Sequence, residues 1–254
     1  MWEGGMFMAG RVMAVGEAPG AKAAAGPAVR LRDVVKEFAL GTQTVRAVDG
    51  ISLEIPAGQF VSIVGRSGSG KSTMLNLLAG IDTPTSGEVW IDDCELSRLT
   101  DDALTCLRRE RLGIVYQFFN LLPTLSVREN VALPALLAGN AEREVLSRAD
   151  ALLDEVSMAH RRDARPHTLS GGEMQRTALA RALIHDPTVV LADEPTGNLD
   201  SRTADQVLAL LRRLGDTHGV TVVLVTHSRE AAAIGDRIVE LKDGRVVRDE
   251  ALRG

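Results

Sequence analysis

One glycine-rich loop constrains the fold of this chain more than any other stretch. The apolar run at residues 60–64, Phe-Val-Ser-Ile-Val, is typical of a buried strand, and a helical segment extends from the loop to about residue 79. Between them the sequence reads Gly65, Arg66, Ser67, Gly68, Ser69, Gly70, Lys71, Ser72 and Thr73. Glycines leave successive backbone N–H groups open to phosphate oxygens, and Lys71 adds a positive charge beside them. This order of strand, phosphate loop and helix predicts an α/β domain with a mainly parallel sheet that binds a nucleotide.

The alternative interpretation of the loop is a surface turn rich in glycine and serine with an incidental lysine. The strand before the loop and the helix after it disfavour that interpretation. In the phosphate-loop interpretation, the hydroxyl of Ser72 is placed to bind Mg²⁺.

A second anion-binding element is predicted at residues 169–173, Leu-Ser-Gly-Gly-Glu. Ser170 and Glu173 have the spacing of a capping box, so a helix should begin here. Gly171 and Gly172 lack the side chains that would keep a ligand away from the exposed N–H groups, and the helix dipole adds partial positive charge. The chain therefore carries two predicted phosphate-binding elements, and one of them must have a role other than that of the phosphate loop.

Polar residues end two further apolar runs. Asp193 and Glu194 follow residues 188–192, and His227 follows residues 220–225. Adjacent carboxylates at the end of a buried strand are costly unless they bind something, and in a phosphate-loop protein hydrated Mg²⁺ suits Asp193 while the attacking water suits Glu194. Open α/β sheets place ligands at the C-terminal edge of their strands, so His227 is expected to contact the γ-phosphate. The alternatives are acids that cap a helix and a structural histidine.

The remaining segments predict strands before the loop and both helices and strands after it. Antiparallel strands are predicted at residues 29–38 and 51–55, with a turn at 41–42, and another short strand is predicted at 88–92. Helices are predicted at 101–111, where the arginines form a solvated face, and at 201–214 after an Asp200 cap. Most of 126–158 is also predicted to be helical, with a capping box of Ser126 and Glu129 at its start and an apolar stripe at Val145, Ala149, Leu152 and Val156. A strand at 112–116 and a terminal hairpin of residues 238–242 and 245–248 complete the set.

Composition excludes several classes of protein. The formal net charge is −5, whereas a general nucleic-acid binder has a basic excess, so no nucleic-acid partner is expected. Cys94 and Cys106 form no Cys-x-x-Cys pair, which disfavours a disulfide framework or a zinc site and suits a reducing, intracellular setting. The longest apolar run, residues 131–138, contains Pro134 and falls far short of the ~20 residues that cross a bilayer.

The first 27 residues differ from the rest of the chain. They are rich in Gly, Ala and Met and lack the apolar centre of a signal peptide, so residues 1–27 are expected to be a disordered tail. Met6, Met8 and Met13 are each a candidate for the true start. Residues 28–254 are then a single domain.

The order of these motifs resembles the nucleotide-binding subunit of ATP-binding-cassette (ABC) transporters over residues 29–248. Small GTPases would also need an Asn/Thr-Lys-x-Asp guanine motif, which the sequence lacks. The resemblance implies a phosphate-loop NTPase core, an N-terminal antiparallel β-subdomain and an inserted α-helical subdomain at roughly residues 118–180. Three stretches look most like the macrolide-exporter and lipoprotein-release branch, which also holds cell-division and antimicrobial-peptide-resistance ATPases. These stretches are residues 71–76, 116–123 and 192–200.

The resemblance also implies a composite site. Two subunits enclose two ATP molecules, each held by residues 65–73 of one chain and 170–173 of the other. The family resemblance also assigns roles to single residues. It implies catalytic roles for Lys71, Gln117, Glu194 and His227, and Mg²⁺ binding by Ser72, Gln117 and Asp193. It implies nucleotide contacts for Phe38 and Asp200. Phe38 stands near the position where the family usually has a tyrosine that stacks on adenine, and Glu173 stands where many members have glutamine.

The partners implied are a second copy or a paralogous ATPase, and a separate membrane permease. The loop 117–123 and the helical insertion are the candidate docking surface at the cytoplasmic face of the membrane, although Phe118, Phe119 and Leu121 could instead belong to the core. Export or lipoprotein or antimicrobial extraction is the expected output. The alternatives are a mechanical or regulatory complex of the cell-division type and a soluble ABC ATPase that acts on DNA or ribosomes.

Overall fold

The structure, a computed structural model, describes residues 26–41 and 43–253. The predicted tail and its alternative starts lie almost entirely outside these residues, as does Thr42 of the predicted turn. The strands are β1 (Pro27–Leu40), β2 (Gln43–Pro56), β3 (Phe60–Val64), β4 (Ser86–Ile91), β5 (Cys94–Glu95), β6 (Leu112–Val115), β7 (Val189–Asp193), β8 (Thr221–Thr226), β9 (Arg237–Lys242) and β10 (Arg245–Ala251). The α-helices are α1 (Lys71–Leu78), α2 (Asp101–Arg111), α3 (Val127–Leu137), α4 (Glu142–Glu155), α5 (Gly171–Leu183), α6 (Ser201–His218) and α7 (Arg229–Ala232). Short 3₁₀ turns span Leu96–Arg98, Ala159–Arg161 and Pro166–Thr168.

Two sheets organise these elements. The antiparallel sheet has the strand order β2-β1-β4-β5, and the larger sheet has the order β10-β9-β3-β8-β7-β6 with every pair parallel except β9 with β10. Helices and the first sheet cover both faces of the larger sheet, which explains why β3 and β8 are buried at every residue. The predicted combination of a mainly parallel core, an antiparallel β-subdomain and a helical insertion is confirmed.

The parallel register brings three chain segments to one edge of the larger sheet. Val64, the last residue before the phosphate loop, pairs with Thr226, and Asp193 pairs with Val225. The carboxyl ends of β3, β7 and β8 are therefore neighbours, and this edge is where an open α/β sheet binds its ligand.

The core divides into two apolar clusters. One joins helices α3, α4, α5 and α6 to one face of the parallel sheet, and the other lies between the two sheets and includes α1. The stripe predicted on α4 is buried, because Val145, Ala149, Leu152 and Val156 all lie in the first cluster. Both helix starts with a capping-box spacing, at Ser126 and Ser170, have the complete reciprocal box.

Some elements differ from their sequence prediction. The strand predicted at 51–55 belongs to the much longer β2, and the helical segment 126–158 breaks at Gly139, which has φ +86°. The first strand of the terminal hairpin, β9, pairs in parallel with β3 and so extends the parallel sheet. The arginines of α2 do not form a simple solvated face, because Arg108 donates to the Gly80 carbonyl oxygen at 2.7 Å and Arg111 to Asp93 at 2.8 Å. Periodicity on one helix cannot reveal acceptors that other elements provide.

Cys94 and Cys106 are free cysteines. Among the described residues, no helix is both long enough and apolar enough to cross a membrane.

Candidate nucleotide-binding site

The phosphate loop has a lysine whose ammonium group is fixed by the loop itself. Lys71 is only 8 % exposed, and its Nζ donates to the carbonyl oxygens of Gly65 at 2.8 Å and Arg66 at 3.0 Å. An ammonium group has three N–H donors. Two are therefore used to hold the loop, and one remains for a phosphate oxygen.

Glycine is required in the loop because other chain segments press against it. Gly70 caps α1 in the left-handed region, with φ 100°, and a Cβ there would overlap the carbonyl oxygen of Ala47. The turn between β9 and β10 also supports the loop, since the N–H of Gly244 donates to the Ser69 carbonyl oxygen at 3.1 Å. Within residues 26–41 and 43–253, no side chain caps α1, so its first N–H groups stay open to an anion.

Asp193 ends β7 as a half-buried carboxylate. Within the described part of the chain, its Oδ1 atom is buried without a hydrogen-bond partner. Burial raises the pKa of Asp193, the charge of Glu194 raises that pKa further, and Lys71 lowers it. A divalent cation would satisfy this oxygen and stabilise the charged form, so the residues fit Mg²⁺.

A cation at Asp193 would draw its other ligands from outside the acidic residues. The described residues contain no cluster of three or more His, Cys, Asp or Glu side chains that could hold a metal. Mg²⁺ in nucleotide sites is usually held by one or two carboxylates together with phosphates and water. Of the predicted Mg²⁺ ligands Ser72, Gln117 and Asp193, Ser72 is the one among the described residues that lines the cleft, and its side chain at the start of α1 is exposed.

Glu194 and His227 form a pair across neighbouring strands. His227 Nδ1 lies 2.8 Å from Glu194 Oε1, and the Thr226 hydroxyl donates to Glu194 Oε2 at 3.2 Å. Glu194 has φ +44°, a left-handed conformation that is unusual for a residue with a side chain and recurs at functional sites. The Nε2 atom of His227 is left to meet a ligand, and the imidazole and hydroxyl together orient the carboxylate.

These groups line one open cleft. Its lining residues are Phe38, Ala47, Ser67, Gly68, Gly70, Lys71, Ser72, Thr73, Glu194 and His227. Phe38 is 41 % exposed, and the ammonium of Lys36 lies 5.1 Å from the centre of its ring. An aromatic ring, together with carboxylate, imidazole and ammonium groups, suits the base and the phosphates of a nucleotide.

Several of the predicted residues are not among the described residues that line the cleft, and Asp193, which directly precedes Glu194, is one of them. Among the described residues, Gln117 does not line the cleft, and its amide lies so close to Gly197 that a Cβ there would sit 2.8 Å from Nε2. Asp200 is exposed and caps α6, where Oδ1 accepts from the Thr203 N–H at 3.1 Å. Its pKa is lowered by the hydrogen bonds from Thr203. The side chain of Ser69 is buried beneath the loop.

The second predicted anion site lies at a different place in the same chain. Ser170 accepts from the Glu173 N–H at 3.3 Å, and Glu173 Oε2 accepts from the Ser170 N–H at 2.8 Å. A Cβ at Gly171 would lie 2.9 Å from Leu199, and one at Gly172 would lie 2.5 Å from Thr203, so α5 starts against the first turn of α6 and the residue before its cap. Within the described residues, the lining of the Lys71 cleft includes none of residues 170–173.

The loop that begins at Gln117 is fixed from two sides. Arg181 of α5 donates to the carbonyl oxygens of Asn120 at 2.5 Å and Phe119 at 2.8 Å, and both of these loop residues have positive φ. Asn130, which is 1 % exposed, bonds both the N–H and the carbonyl oxygen of Leu122. The side chain of Phe118 is nevertheless 72 % exposed, so it does not belong to the core.

Sequence reasoning did not find several supporting residues. Ala47 and Gly244 meet the phosphate loop from distant segments, and no local pattern marks them. Thr226 had a usable signal, because a hydroxyl residue directly precedes His227 at the same strand end. Arg181 lies on the inner side of α5, where its hydrogen bonds depend on the tertiary fold.

The family model described as "ABC transporter" matches residues 48–197. An ABC transporter ATP-binding protein of Methanocaldococcus jannaschii, MJ0796, is 45 % identical over 230 residues, which cover 89 % of this chain and 98 % of that protein. A solved dimeric structure of the MJ0796 cassette bound to ADP and Pi has 44 % identity and a TM-score of 0.82, and the match covers 89 % of this chain and 99 % of that chain.

Two longer relatives match at similar identity. The macrolide export ATP-binding/permease protein MacB of Brucella melitensis is 45 % identical over 230 residues, which are 91 % of this chain but 35 % of MacB. The pyoverdine export ATP-binding/permease protein PvdT of Pseudomonas aeruginosa is 46 % identical over 226 residues, which are 89 % of this chain and 34 % of PvdT. This chain therefore spans about a third of those two relatives. With the family model, the identity and the fold in agreement, the chain belongs to the ABC transporter ATP-binding family, whose members are ATPases.

Proposed function

We propose that this chain hydrolyses ATP as a pair of cassettes, with each ATP held by residues 65–73 of one copy and 170–173 of the other. The observation that carries the proposal is the separation of the two anion-binding helix starts. One lines a cleft with Lys71, Glu194 and His227, and the other lies against Leu199 and Thr203. Two copies facing each other in opposite directions would complete two equivalent sites, and the dimeric ADP- and Pi-bound MJ0796 cassette supports this arrangement.

Phosphoryl transfer depends mainly on positioning and charge. The free donor of Lys71 and the open N–H groups of α1 bind the phosphates. The Glu194 carboxylate, already oriented by Thr226 and His227, holds the attacking water, and His227 Nε2 contacts the γ-phosphate. Mg²⁺ held by Asp193 and Ser72 would offset the negative charge of the phosphates. A ligand role for Gln117 and a nucleotide contact for Asp200 stay predictions.

A Glu194→Gln variant tests this assignment. The amide keeps the size of the carboxylate but cannot accept a proton from water, so we expect hydrolysis to fall about 100-fold or more while ATP binding persists. The bound dimer should accumulate and be visible by sedimentation with ATP. Turnover at the wild-type rate would refute the role of Glu194.

We also propose that a membrane permease docks at the exposed part of the loop 117–123 and that the chain thereby lies at the cytoplasmic face of the membrane. Arg181 and Asn130 fix the loop backbone, whereas Phe118 and Leu122 present apolar surface, 72 % and 45 % exposed, that the fold itself does not use. The names of the relatives MacB and PvdT support export as the output.

Docking is tested by the substitution Phe118→Asp. Replacing the exposed phenyl ring by a carboxylate should weaken co-purification with the permease. ATP hydrolysis by the isolated cassette should stay within about twofold of wild type, because the side chain of Phe118 makes few internal contacts. The matched control is Val247→Asp on β10, outside the loop and the helical insertion, where the side chain is 55 % exposed. Unchanged assembly in Phe118→Asp would place docking elsewhere.

A further inference from the structure

The start of α5 carries a charge that conflicts with its proposed task. Glu173 is a carboxylate in the first turn, directly beside the glycines that are meant to meet a phosphate. Its pKa is lowered, first by the hydrogen bond from the Ser170 N–H and also by the nearby charge of Arg161, so it is ionised at neutral pH. An uncompensated negative charge there would repel the γ-phosphate.

Glu173 divides its two oxygens between different partners. Oε2 accepts from the Ser170 N–H at 2.8 Å and from the Ser170 hydroxyl at 3.0 Å, which completes the capping box. Oε1 instead lies 3.3 Å from Nε of Arg161. That Nε makes no directed hydrogen bond, so the contact acts through charge.

Arg161 reaches the α5 start from a separate 3₁₀ turn. Its Nη2 atom donates to the Thr168 carbonyl oxygen at 2.6 Å, while Nε faces Glu173. The guanidinium group of Arg161 thus contacts both Thr168, before the Ser170 turn, and Glu173, after it. The side chains of Arg161 and Glu173 are 32 % and 27 % exposed, so solvent screens this pair only in part.

We propose that Arg161 is a positioning residue for the second half of the composite ATP site: it neutralises Glu173 and holds the capping box, so that the Ser170 turn accepts the γ-phosphate of an ATP bound by another copy. This inference rests on the proposed function. Arg161 does not touch the nucleotide and acts through Glu173. A neutral residue of the same shape at position 173 would make the arginine charge unnecessary.

The test compares Arg161→Met, Glu173→Gln and the double variant in ATP-dependent dimerisation, followed by sedimentation in a Glu194→Gln background. We expect Arg161→Met to raise the ATP concentration for half-maximal dimerisation about fivefold to tenfold, because Glu173 then repels the phosphate. Glutamine can still accept from the Ser170 N–H. The single Glu173→Gln variant and the double variant should therefore both stay within about twofold of the parent.

Arg162→Met is the matched control, since Arg162 pairs with Asp150 at 3.8 Å and not with Glu173. It should leave dimerisation unchanged. Binding of a fluorescent ATP analogue by the monomer, at the Lys71 loop, checks that each variant is folded.

Each outcome decides the proposal. Loss in Arg161→Met with recovery in the double variant supports it. Unchanged ATP-dependent dimerisation in Arg161→Met overturns the proposal. An equal loss of dimerisation in Arg161→Met and in the double variant also overturns it, because Arg161 would then act through Thr168 as a structural residue. A Ser170→Arg variant that still dimerises with ATP would instead refute the composite site itself, which keeps the two failures distinct.

Discussion

The two glycine-rich helix starts look alike in the sequence but differ in how their N–H groups are used. At α1, Gly70 provides no cap, so the N-terminal N–H groups are left for a ligand. At α5, Ser170 and Glu173 complete a capping box, which already satisfies two donors. The first site is built to bind phosphate by itself, whereas the second is stable without a ligand and suits a phosphate that another copy delivers.

The two sites also differ in charge and support. Lys71 and the unpaired Asp193 oxygen give the first site strong local charges, and Ala47 and Gly244 hold its loop from behind. The second site relies on the helix dipole and on an acid paired with Arg161. Nucleotide affinity should therefore reside in the first site and dimerisation in the second.

The largest expected effect is that of Lys71→Met. This change removes the phosphate-binding ammonium and also leaves the carbonyl oxygens of Gly65 and Arg66 without their donor. We expect both ATP binding and hydrolysis to fall by about 100-fold or more, measured by calorimetry and by phosphate release. Lys242→Met, which removes an exposed lysine at the end of β9, is the control and should retain most of the affinity. Near-normal ATP binding by Lys71→Met would contradict the assignment of nucleotide affinity to the Lys71 site.

The second largest expected effect distinguishes the roles of the two anion-binding sites. Ser170→Arg places a bulky side chain at the exposed start of α5 and removes the cap, so hydrolysis should be lost while the monomer still binds ATP at the Lys71 loop with an affinity within about threefold of wild type. Monomer binding by calorimetry and turnover by phosphate release measure the two halves independently. Loss of monomer binding would contradict this division between the sites.

The smallest expected effect is on stability. Burial raises the pKa of Asp193, so the folded state binds the proton of this carboxyl group more tightly than the unfolded state does. The contribution of Asp193 to the free energy of unfolding therefore falls as the pH rises from the ordinary pKa of an aspartate through the raised pKa. Asp193→Asn should therefore raise the Tm of the nucleotide-free protein at neutral pH by roughly 2 °C, and abolish further stabilisation by Mg²⁺ with ATP. Calorimetric melting checks both.

The control for this measurement is Asp200→Ala. Asp200 is held in its charged form by the Thr203 hydrogen bonds, so its lowered pKa adds stability that is present above its ordinary pKa and lost as pH falls through the lowered one. Its loss should lower Tm. A decrease in both variants would show that Asp193 does not carry an uncompensated charge.

The sequence predicted those parts of the site that depend on local spacing. The phosphate loop, the capping boxes at Ser126 and Ser170 and the Asp200 cap all involve residues within a few positions of each other, where backbone geometry leaves little freedom. The polar strand ends were also recognisable, because parallel strands bring their carboxyl ends to one edge. Whether Phe118 belonged to the core or the surface was left open, since an aromatic residue in a loop fits either.

What the sequence determined by itself is therefore the set of chemical parts: a glycine-rich, lysine-bearing helix start, a capped helix start, and acids and a histidine at strand ends. Only the tertiary structure decided how they are joined. It paired Glu194 with His227 across β7 and β8, pressed Ala47 and Gly244 against the loop, and set Arg161 beside Glu173. Their geometry follows from how strands and helices pack, and no local rule of spacing specifies it.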